Sequence, residues 1–506
     1  MSQTSREEFD ALVSSGQRVV TVSREVFADG DSPVSLYRRL TDSRPGSFLL
    51  ESAEQGGIWS RFSFLGVESF GTLTDIEGTS HWINYSLDAE VAFGGPVPQQ
   101  GLDAVSALTQ RWAGSHNTHI APLTGGLVGF IGWDAVRQLE RLPHIPPAEI
   151  PVPGQALSFV RDLIVIDHRT GTLTLVTNVL ALDSTPDFDE ALARIDQLEE
   201  RLRAPHSTTV QLIDLSITAK PEHRTTRDDY LASVLTSKDF IVAGDIFQVV
   251  ISQRFELECR ATPLDVYRVL RSLNPSPYMY LLSLEAADGS PYAVVGSSPE
   301  ALVKVNDSRV FTHPIAGSRP RGATPEVDLA LETELLADEK ERAEHLMLVD
   351  LARNDLLRVC DAGSVEVTEF MRVERFSHIM HIVSSVEGNL RAGLDAVDVF
   401  RATFPAGTLS GAPKPRALEI IDELEPAGRG VYGGVVGYFD FAGNADLAIA
   451  IRTATIVGNR AFVQAGGGFV ADSDPESEFQ ESVNKAAAPL RAVAIANALV
   501  EQTSVK

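Results

Sequence analysis

The sequence predicts a protein of mixed α and β structure, and two residue patterns carry that prediction. Short apolar runs of strand length occur in the first 200 residues, as at positions 48–52 and 163–166. Between positions 182 and 202 the apolar residues instead recur at helical spacing, which marks one face of an amphipathic helix. Further along, strands and long helices mix without strict βαβ alternation, so periodicity alone predicts a mixed class and no particular topology.

A polar stretch at positions 204–222 is the best candidate for a domain boundary. It contains Pro205 and the pair Lys220-Pro221, and 506 residues exceed what one hydrophobic core usually supports. We therefore predict an N-terminal lobe of residues 1–215 and a second domain of residues 216–506. Thr226 then has the character of a helix N-cap and predicts a helix that runs towards Ile241.

Charge and composition exclude several classes of partner and compartment. The chain has 43 Lys and Arg against 69 Asp and Glu, a formal net charge of −26, which disfavours nucleic acid and anionic membranes as partners. The first residues carry no signal-peptide pattern, and no apolar run reaches the length of a membrane span. The two cysteines, Cys259 and Cys360, have no metal-ligand spacing. We expect a reduced, cytoplasmic protein without disulfides.

The strongest chemical signal is a pair of helices that each carry two glutamates on one face. Glu341 and Glu344 stand three residues apart in the first helix. Glu478 and Glu481 have the same spacing in the second, and Lys485 continues their face. Four inward carboxylates can hold one hard divalent cation such as Mg²⁺ through bridging waters, whereas ordinary solvated charge pairs are the alternative that spacing leaves open.

Two glycine-rich segments and two charged residues add weaker signals. Residues 407–414 (GTLSGAPK) lack P-loop spacing but precede a helix and could cradle an anion, and residues 466–468 let the backbone approach a ligand. Arg452 lies in an apolar run and needs an anionic partner, either an internal carboxylate or a substrate. Glu300 precedes a strand and could be a cap or a general acid.

Several segments, taken in order, resemble the catalytic domain of the chorismate-utilising enzymes. The resemblance covers about residues 227–490 and depends on FQVVISQR (247–254), PIAGSRPRG (314–322), KERAEHLMLVDLARND (340–355), GTLSGAPK (407–414) and GGGFVADSDPESEFQESVNK (466–485). It implies an α+β fold of two large antiparallel β-sheets layered with helices, with the N-terminal lobe packed on the catalytic domain.

The resemblance also implies roles for individual residues. It implies Mg²⁺ as cofactor, with Glu344 and Glu481 as ligands and Glu341 and Glu478 as nearby carboxylates, and it places the ring carboxylate of chorismate on the metal. Glu300 matches the acid that protonates the departing ring hydroxyl.

The other implied roles concern binding of the substrate and the later steps. Tyr432 and Arg452 match residues that hold the enolpyruvyl carboxylate, and His381 matches a histidine needed for pyruvate elimination. The remaining implied contacts are main-chain, hydroxyl and amine groups: Gly317, Ser318, Thr408, Gly466, Gly467, Gly468 and Lys485.

Two positions distinguish branches of the family. Relatives that attack with water carry a lysine base where this chain has Gln248, and an amide cannot deprotonate water, whereas ammonia is already a nucleophile. Aminodeoxychorismate synthases carry a lysine where this chain has Ala316. We therefore expect ammonia attack and loss of pyruvate, giving anthranilate. Aminodeoxychorismate synthase and a non-catalytic tryptophan-sensing relative are the alternatives. Ser318 stands where the family usually has threonine, and we expect activity to be retained.

Two segments, residues 49–52 (LLES) and residues 274–279 (NPSPYM), resemble the feedback-inhibitor site of anthranilate synthase large subunits. The resemblance implies that L-tryptophan binds to Glu51, Ser52, Asn274, Pro277, Tyr278 and Met279. Neither Cys259 nor Cys360 has the context of an amidotransferase nucleophile. Ammonia is therefore expected from a separate glutamine amidotransferase subunit, in the first step of tryptophan biosynthesis, or as the free base.

Overall fold

The computed structural model describes residues 3–27, 30–53, 61–114, 121–182, 186–205, 210–375 and 379–504. Its helices are α1 (Arg6–Ser14), α2 (Pro33–Thr41), α3 (Ala89–Phe93), α4 (Gly101–Arg111), α5 (Phe188–Arg203), α6 (Arg227–Ala243), α7 (Pro263–Leu273), α8 (Pro325–Ala337), α9 (Glu339–Leu357), α10 (Ala396–Thr403), α11 (Lys414–Leu424) and α12 (Pro475–Ser504).

The strands that precede α6 are β1 (Val19–Phe27), β2 (Ser47–Glu51), β3 (Phe62–Ile76), β4 (Thr79–Asn84), β5 (Gly126–Ile131), β6 (Gln155–Asp167), β7 (Thr172–Leu180) and β8 (Glu222–His223). Those that follow it are β9 (Gln248–Glu258), β10 (Tyr278–Glu285), β11 (Pro291–Ser298), β12 (Ala301–Asn306), β13 (Arg309–Thr312), β14 (Ile315–Pro320), β15 (Glu366–Arg375), β16 (Ile379–Asn389), β17 (Gly411–Ala412), β18 (Val435–Asp440), β19 (Ala445–Ile449), β20 (Thr453–Val457) and β21 (Arg460–Phe469).

The strands form two long antiparallel arms that are joined through the β3–β6 pair. One arm continues from β3 through β2, β10, β11, β20 and β21 to β9. The other continues from β6 through β5, β18, β19, β12 and β13 to β16, which also pairs with β14 and β15. The β3–β6 ladder links the two arms into one connected sheet. The predicted α+β class is confirmed, and the two large antiparallel sheets that the resemblance implies are here the two arms of one connected sheet layered with helices.

Helix starts follow the predicted capping chemistry. The Thr226 hydroxyl accepts a hydrogen bond from the Asp229 amide at 3.2 Å, so α6 begins where the sequence indicates. Asp474 accepts from the Ser477 amide at 3.0 Å, and Pro475 is the first residue of α12. The second cap matters for the site because it fixes the start of α12, the helix that carries Glu478 and Glu481.

Helices cover the sheet arms and bury three large apolar cores. One core lies against α4, α10 and α11, and a second joins α5, α7 and α12 to β1 and β7. A third lies where the arms meet, around Phe130, Val165 and Tyr280. Strands on both sides of the predicted boundary pair with one another, as β2 does with β10 and β5 with β18. The division into residues 1–215 and 216–506 stays a prediction.

Within the ranges given above, no helix is both long enough and apolar enough to cross a membrane. The cytoplasmic location stays a prediction.

Candidate active site

Glu300 lies between β11 and β12, and one hydrogen bond holds its backbone while another holds its carboxyl. Its main-chain oxygen accepts from the Ile449 amide at 2.9 Å, which fixes the backbone. The Thr408 hydroxyl, in a 3₁₀ turn at Gly407–Leu409, donates to Glu300 Oε1 at 3.0 Å. Desolvation raises the pKa of the Glu300 carboxyl to about 7, although Thr408 and the nearby cations oppose that rise. A carboxyl with this pKa can carry a proton at neutral pH, as a general acid must.

Arg452 and Lys485 supply the positive charge of the same site. Arg452 sits between β19 and β20 with a left-handed backbone (φ 52°), and Nη1 donates to the Lys485 carbonyl oxygen at 3.1 Å. Lys485 Nζ in turn donates to the Gly466 carbonyl oxygen at 3.1 Å and pairs with Glu481 Oε1 at 2.5 Å. Burial lowers the pKa of Arg452, although Tyr432, Glu481 and Glu300 oppose the shift. An arginine stays protonated regardless, so the site holds a desolvated cation.

Tyr432 completes the cationic side of the site. Its ring is buried beside Gly466, and burial raises the pKa of its phenol to about 12. The phenol is therefore a neutral donor at physiological pH. The resemblance implies that Tyr432 and Arg452 hold one carboxylate and that Gly466 is a main-chain contact, and the structure brings the three residues together.

Gly466, Gly467 and Gly468 of β21 lie close to active-site groups, and we call these three residues the glycine wall. A Cβ on Gly467 would lie 2.6 Å from Glu478 Oε2, and one on Gly468 would lie 2.3 Å from Gln248 Nε2. Gln248 opens β9 and is buried, so its amide faces the glycine wall. Side chains at these two positions would displace the ends of Glu478 and Gln248. A Cβ on Gly466 would lie 2.2 Å from the Ile251 carbonyl oxygen, a backbone atom that cannot turn aside, so glycine is needed there.

His381, Gly317 and Ser318 lie together on the paired strands β14 and β16. His381 Nδ1 contacts the Gly317 carbonyl oxygen at 3.1 Å, and Ser318 is the direct ladder partner of His381. Gly317 has φ 70° at a register shift in β14, and a Cβ there would lie 3.2 Å from Glu341 Oε2. Desolvation lowers the pKa of His381, which favours a neutral imidazole that can accept a proton.

The four predicted carboxylates on α9 and α12 are linked by electrostatic effects. Burial raises the pKa of Glu344, and the Glu341 and Glu481 carboxylates raise it further. Burial also raises the pKa of Glu478, with Glu481 adding to the effect, while Ser473 Oγ donates to Glu478 Oε1 at 2.7 Å. The mutual effects place these carboxylates within one electrostatic group.

The donor set of this group fits a magnesium ion that is only partly held by protein. Among the described residues, no three acidic, histidine or cysteine side chains converge closely enough to hold a metal by themselves. Mg²⁺ usually takes one or two carboxylates and completes its shell with water and substrate oxygens. Glu344 and Glu481, two oxygen donors that come from different helices and affect each other electrostatically, suit that arrangement.

A second cavity, with a volume of about 310 Å³, is lined by the paired strands β2 and β10 and by strands of the other arm. We call it the inhibitor cavity after the predicted role of its residues. Its lining includes five of the six predicted inhibitor-binding residues: Glu51, Ser52, Pro277, Tyr278 and Met279. Glu51 is oriented by Tyr267, which donates at 2.6 Å, and by Arg271, which donates at 2.8 Å.

Two details distinguish the polar groups of the inhibitor cavity. The buried Ser52 hydroxyl oxygen has no hydrogen-bond partner among the described residues, and a buried polar atom without a partner is costly unless a ligand or water satisfies it. Asn274 is not part of the lining. Its amide instead donates to Ser276 Oγ and to the Ser297 carbonyl oxygen, each at 3.3 Å, so it shapes the turn before β10.

Sequence reasoning missed other residues in and around the inhibitor cavity. Tyr267 and Arg271, which orient Glu51, lie on the amphipathic α7 and could have been suspected from their spacing. Lys304, His313 and Tyr438 also line the inhibitor cavity, but they come from distant strands and carry no local signal.

Both cysteines are buried free thiols. Burial raises the pKa of Cys259 and of Cys360 to about 11. Neither thiol is ionised at neutral pH, so neither has the property of an amidotransferase nucleophile.

Comparison with known proteins agrees with this geometry. Residues 74–491 match the family described as chorismate binding enzyme. Anthranilate synthase component 1 of Arthrobacter globiformis is 53% identical over 501 residues, which cover 97% of this chain and 93% of that protein. The counterpart from Mycolicibacterium smegmatis is 50% identical, with 98% of this chain and 95% of that protein covered.

Solved structures give the same family and fold. The crystal structure of anthranilate synthase component I from Streptococcus pneumoniae TIGR4 has a TM-score of 0.75 and 36% sequence identity, covering 92% of this chain and 99% of that one. The menaquinone-specific isochorismate synthase from Escherichia coli has a TM-score of 0.70 at 19% identity, covering 96% and 99%, a likeness of fold alone. This chain belongs to the family of chorismate-binding enzymes.

Proposed function

We propose that this chain is the large subunit of an anthranilate synthase, which converts chorismate and ammonia into anthranilate and pyruvate. The observation that carries the proposal is the Glu300 carboxyl, which has a pKa of about 7 and lies beside Thr408 in a site whose Gln248 position offers no base. A proton donor suits departure of a ring hydroxyl, and an attacking ammonia needs no deprotonation beforehand. The full-length likeness to anthranilate synthase component 1 supports the same reaction.

In the proposed first step, a protonated Glu300 gives its proton to the leaving ring hydroxyl, which departs as water. The ammonia nitrogen forms the new bond to the ring and then loses a proton. Thr408 keeps the Glu300 carboxyl aimed, since its hydroxyl donates to one carboxyl oxygen. The absence of a lysine at Ala316 leaves no amine there to attack in place of ammonia.

In the proposed second step, the neutral His381 takes the proton from the ring carbon that bears the new amine, and the bond between the neighbouring ring carbon and the enolpyruvyl oxygen breaks. The released enolpyruvate takes up a proton and becomes pyruvate. The lowered pKa of His381 and its contact with the Gly317 carbonyl oxygen suit this role. Loss of that proton makes the ring aromatic.

Binding of the substrate divides the site into two sides. Arg452 and Tyr432 would hold one carboxylate, which gives the buried guanidinium the anionic partner that it needs. The other carboxylate would face the glutamates of α9 and α12. Mg²⁺ held by Glu344 and Glu481 would supply the positive charge on that side when bound.

Regulation and ammonia supply complete the proposal. L-Tryptophan would bind in the inhibitor cavity, where Glu51 offers a positioned carboxylate and Ser52 a hydroxyl that has no partner within the described part of the chain. Ammonia would come from a glutamine amidotransferase subunit, because the thiols of Cys259 and Cys360 are protonated at neutral pH. The chain alone should then use ammonium salts and not glutamine.

The test follows anthranilate fluorescence with purified chain, chorismate, ammonium chloride and MgCl₂. We expect anthranilate and pyruvate in equal amounts. A product that retains its enolpyruvyl group would indicate an aminodeoxychorismate synthase instead. Chorismate left unconsumed under all these conditions would reject the proposed function.

A further inference from the structure

Arg429 is a buried cation that none of the steps above uses. Its side chain is 1% exposed, and that of its ion-pair partner Glu425 is 2% exposed. Arg429 Nε and Nη2 donate to the two Glu425 oxygens at 2.9 and 2.6 Å. Replacing a buried ion pair by apolar residues is often neutral or stabilising, so stability alone gives little reason for this pair.

The remaining donors of the Arg429 guanidinium reach two segments of the active site. Nη1 donates to the Leu409 carbonyl oxygen at 2.7 Å, and Nη2 donates to the Val250 carbonyl oxygen at 2.7 Å. Leu409 directly follows Thr408, whose hydroxyl holds Glu300. The guanidinium is therefore hydrogen-bonded directly to the turn that carries Thr408, the residue that aims the proposed acid.

The same ion pair also holds the strand behind the glycine wall. Glu425 Oε1 accepts hydrogen bonds from the Ser252 amide and hydroxyl at 2.7 and 2.8 Å. In the β9–β21 ladder, Ser252 lies opposite Gly466 and Val250 lies opposite Gly468. A shift of the pair would move the strand against which these glycines are placed.

The planar face of the guanidinium contacts two aromatic rings. Its carbon lies 4.2 Å from the ring centroid of Trp133, in the N-terminal half of the chain, and 5.6 Å from that of Tyr432. Lysine cannot reproduce this contact, because its ammonium is a compact charge without a stacking plane or a fixed fork of donors.

We propose that Arg429 is a positioning residue for the reaction. It fixes the Thr408 turn, the β9 strand and the Tyr432 ring in one arrangement, and it acts on catalysis through Thr408. The proposal rests on the proposed function, since Thr408 and Glu300 are the acid pair of that reaction.

The test is a double-mutant cycle on kcat for ammonia-dependent anthranilate formation. If Arg429 acts through Thr408, Arg429→Lys and Thr408→Ala should each lower kcat about tenfold, and the double variant should lose only about tenfold to twentyfold. A merely structural loss of folded enzyme would multiply with the Thr408→Ala effect and give about a hundredfold loss. The KM for chorismate should also rise in Arg429→Lys, through Tyr432.

Controls separate this proposal from the proposed function. Arg39→Lys makes the same exchange in a largely buried pair with Asp31 (2.6 Å) outside both sites, and it should leave kcat unchanged. Should Arg429→Lys fail to fold by circular dichroism, Glu425→Gln takes its place in the cycle. Multiplicative losses, or a wild-type kcat in Arg429→Lys, overturn the positioning role. The wild-type rate reports on the proposed function by itself.

Discussion

The active site and the inhibitor cavity differ in how far their polar groups are already hydrogen-bonded. Around Glu300 several polar groups are already bonded to one another, as the Thr408 hydroxyl is to Glu300 and Lys485 is to Gly466. The inhibitor cavity has a volume of about 310 Å³ and keeps the Ser52 hydroxyl without a partner among the described residues. Groups fixed in advance favour chemistry, because they cost no reorganisation during the reaction. An unsatisfied cavity favours reversible binding, because a ligand supplies what is missing.

The difference predicts that substitutions in the active site change rate, whereas those in the cavity change inhibition. The largest expected effect comes from Glu300→Gln, which keeps the shape of the side chain and removes its proton. Loss of a general acid lowers kcat by about 10²- to 10⁴-fold. Anthranilate fluorescence at saturating chorismate measures kcat. The control is Glu423→Gln, which changes an exposed glutamate on α11. A rate within a few-fold of wild type would remove Glu300 from the mechanism.

Glu481→Gln tests the carboxylate side of the active site. Loss of a metal ligand that stabilises charge by several kcal/mol should lower kcat/KM for chorismate at least about a hundredfold. Glu476 lies on the same helix but pairs with Arg227, so Glu476→Gln is the control and should leave the rate unchanged. Titration of MgCl₂ against the rate of both variants distinguishes them. Normal Mg²⁺ dependence in Glu481→Gln would contradict the ligand assignment.

Thr408→Ala removes the hydrogen bond that lowers the pKa of Glu300. We expect kcat to fall about tenfold, a loss comparable to one hydrogen bond to a charged group. The pKa of Glu300 should also rise, so the decline of kcat/KM with rising pH moves to higher pH. Thr408→Ser keeps the hydroxyl and serves as control. An unshifted pH profile in Thr408→Ala would show that the bond does not tune the acid.

Ser52→Phe should have the smallest effect on rate and a large effect on inhibition. A phenyl group would fill part of the inhibitor cavity, so the half-inhibitory concentration of L-tryptophan should rise at least about tenfold, as expected when more than 1.4 kcal/mol of binding is lost. We expect kcat to stay within about twofold, as for a substitution remote from the chemistry. Ser216→Phe, at an exposed position, is the control. Unchanged tryptophan sensitivity would remove the regulatory assignment.

Local chemistry in the sequence was enough to locate some of these parts. The caps at Thr226 and Asp474, and the i, i+3 glutamates of α9 and α12, were readable because each signal spans one helical turn. The contact of Arg429 with Trp133 was not readable, since it joins residues that only the sheet topology brings together. Asn274 was assigned to tryptophan binding by resemblance; its amide bonds the turn before β10, and its part in binding stays a prediction.

The measurement that tests the reaction chemistry most directly is the pH dependence of anthranilate formation at constant free ammonia. Glu300 must be protonated to act, and its pKa of about 7 lies well above that of an ordinary glutamic acid. Because the acid loses its proton as pH rises, kcat/KM for chorismate should decline through pH 7 and continue to fall by about tenfold per pH unit above it. Anthranilate formation that holds level from pH 7 to about pH 9 would contradict Glu300 as the acid.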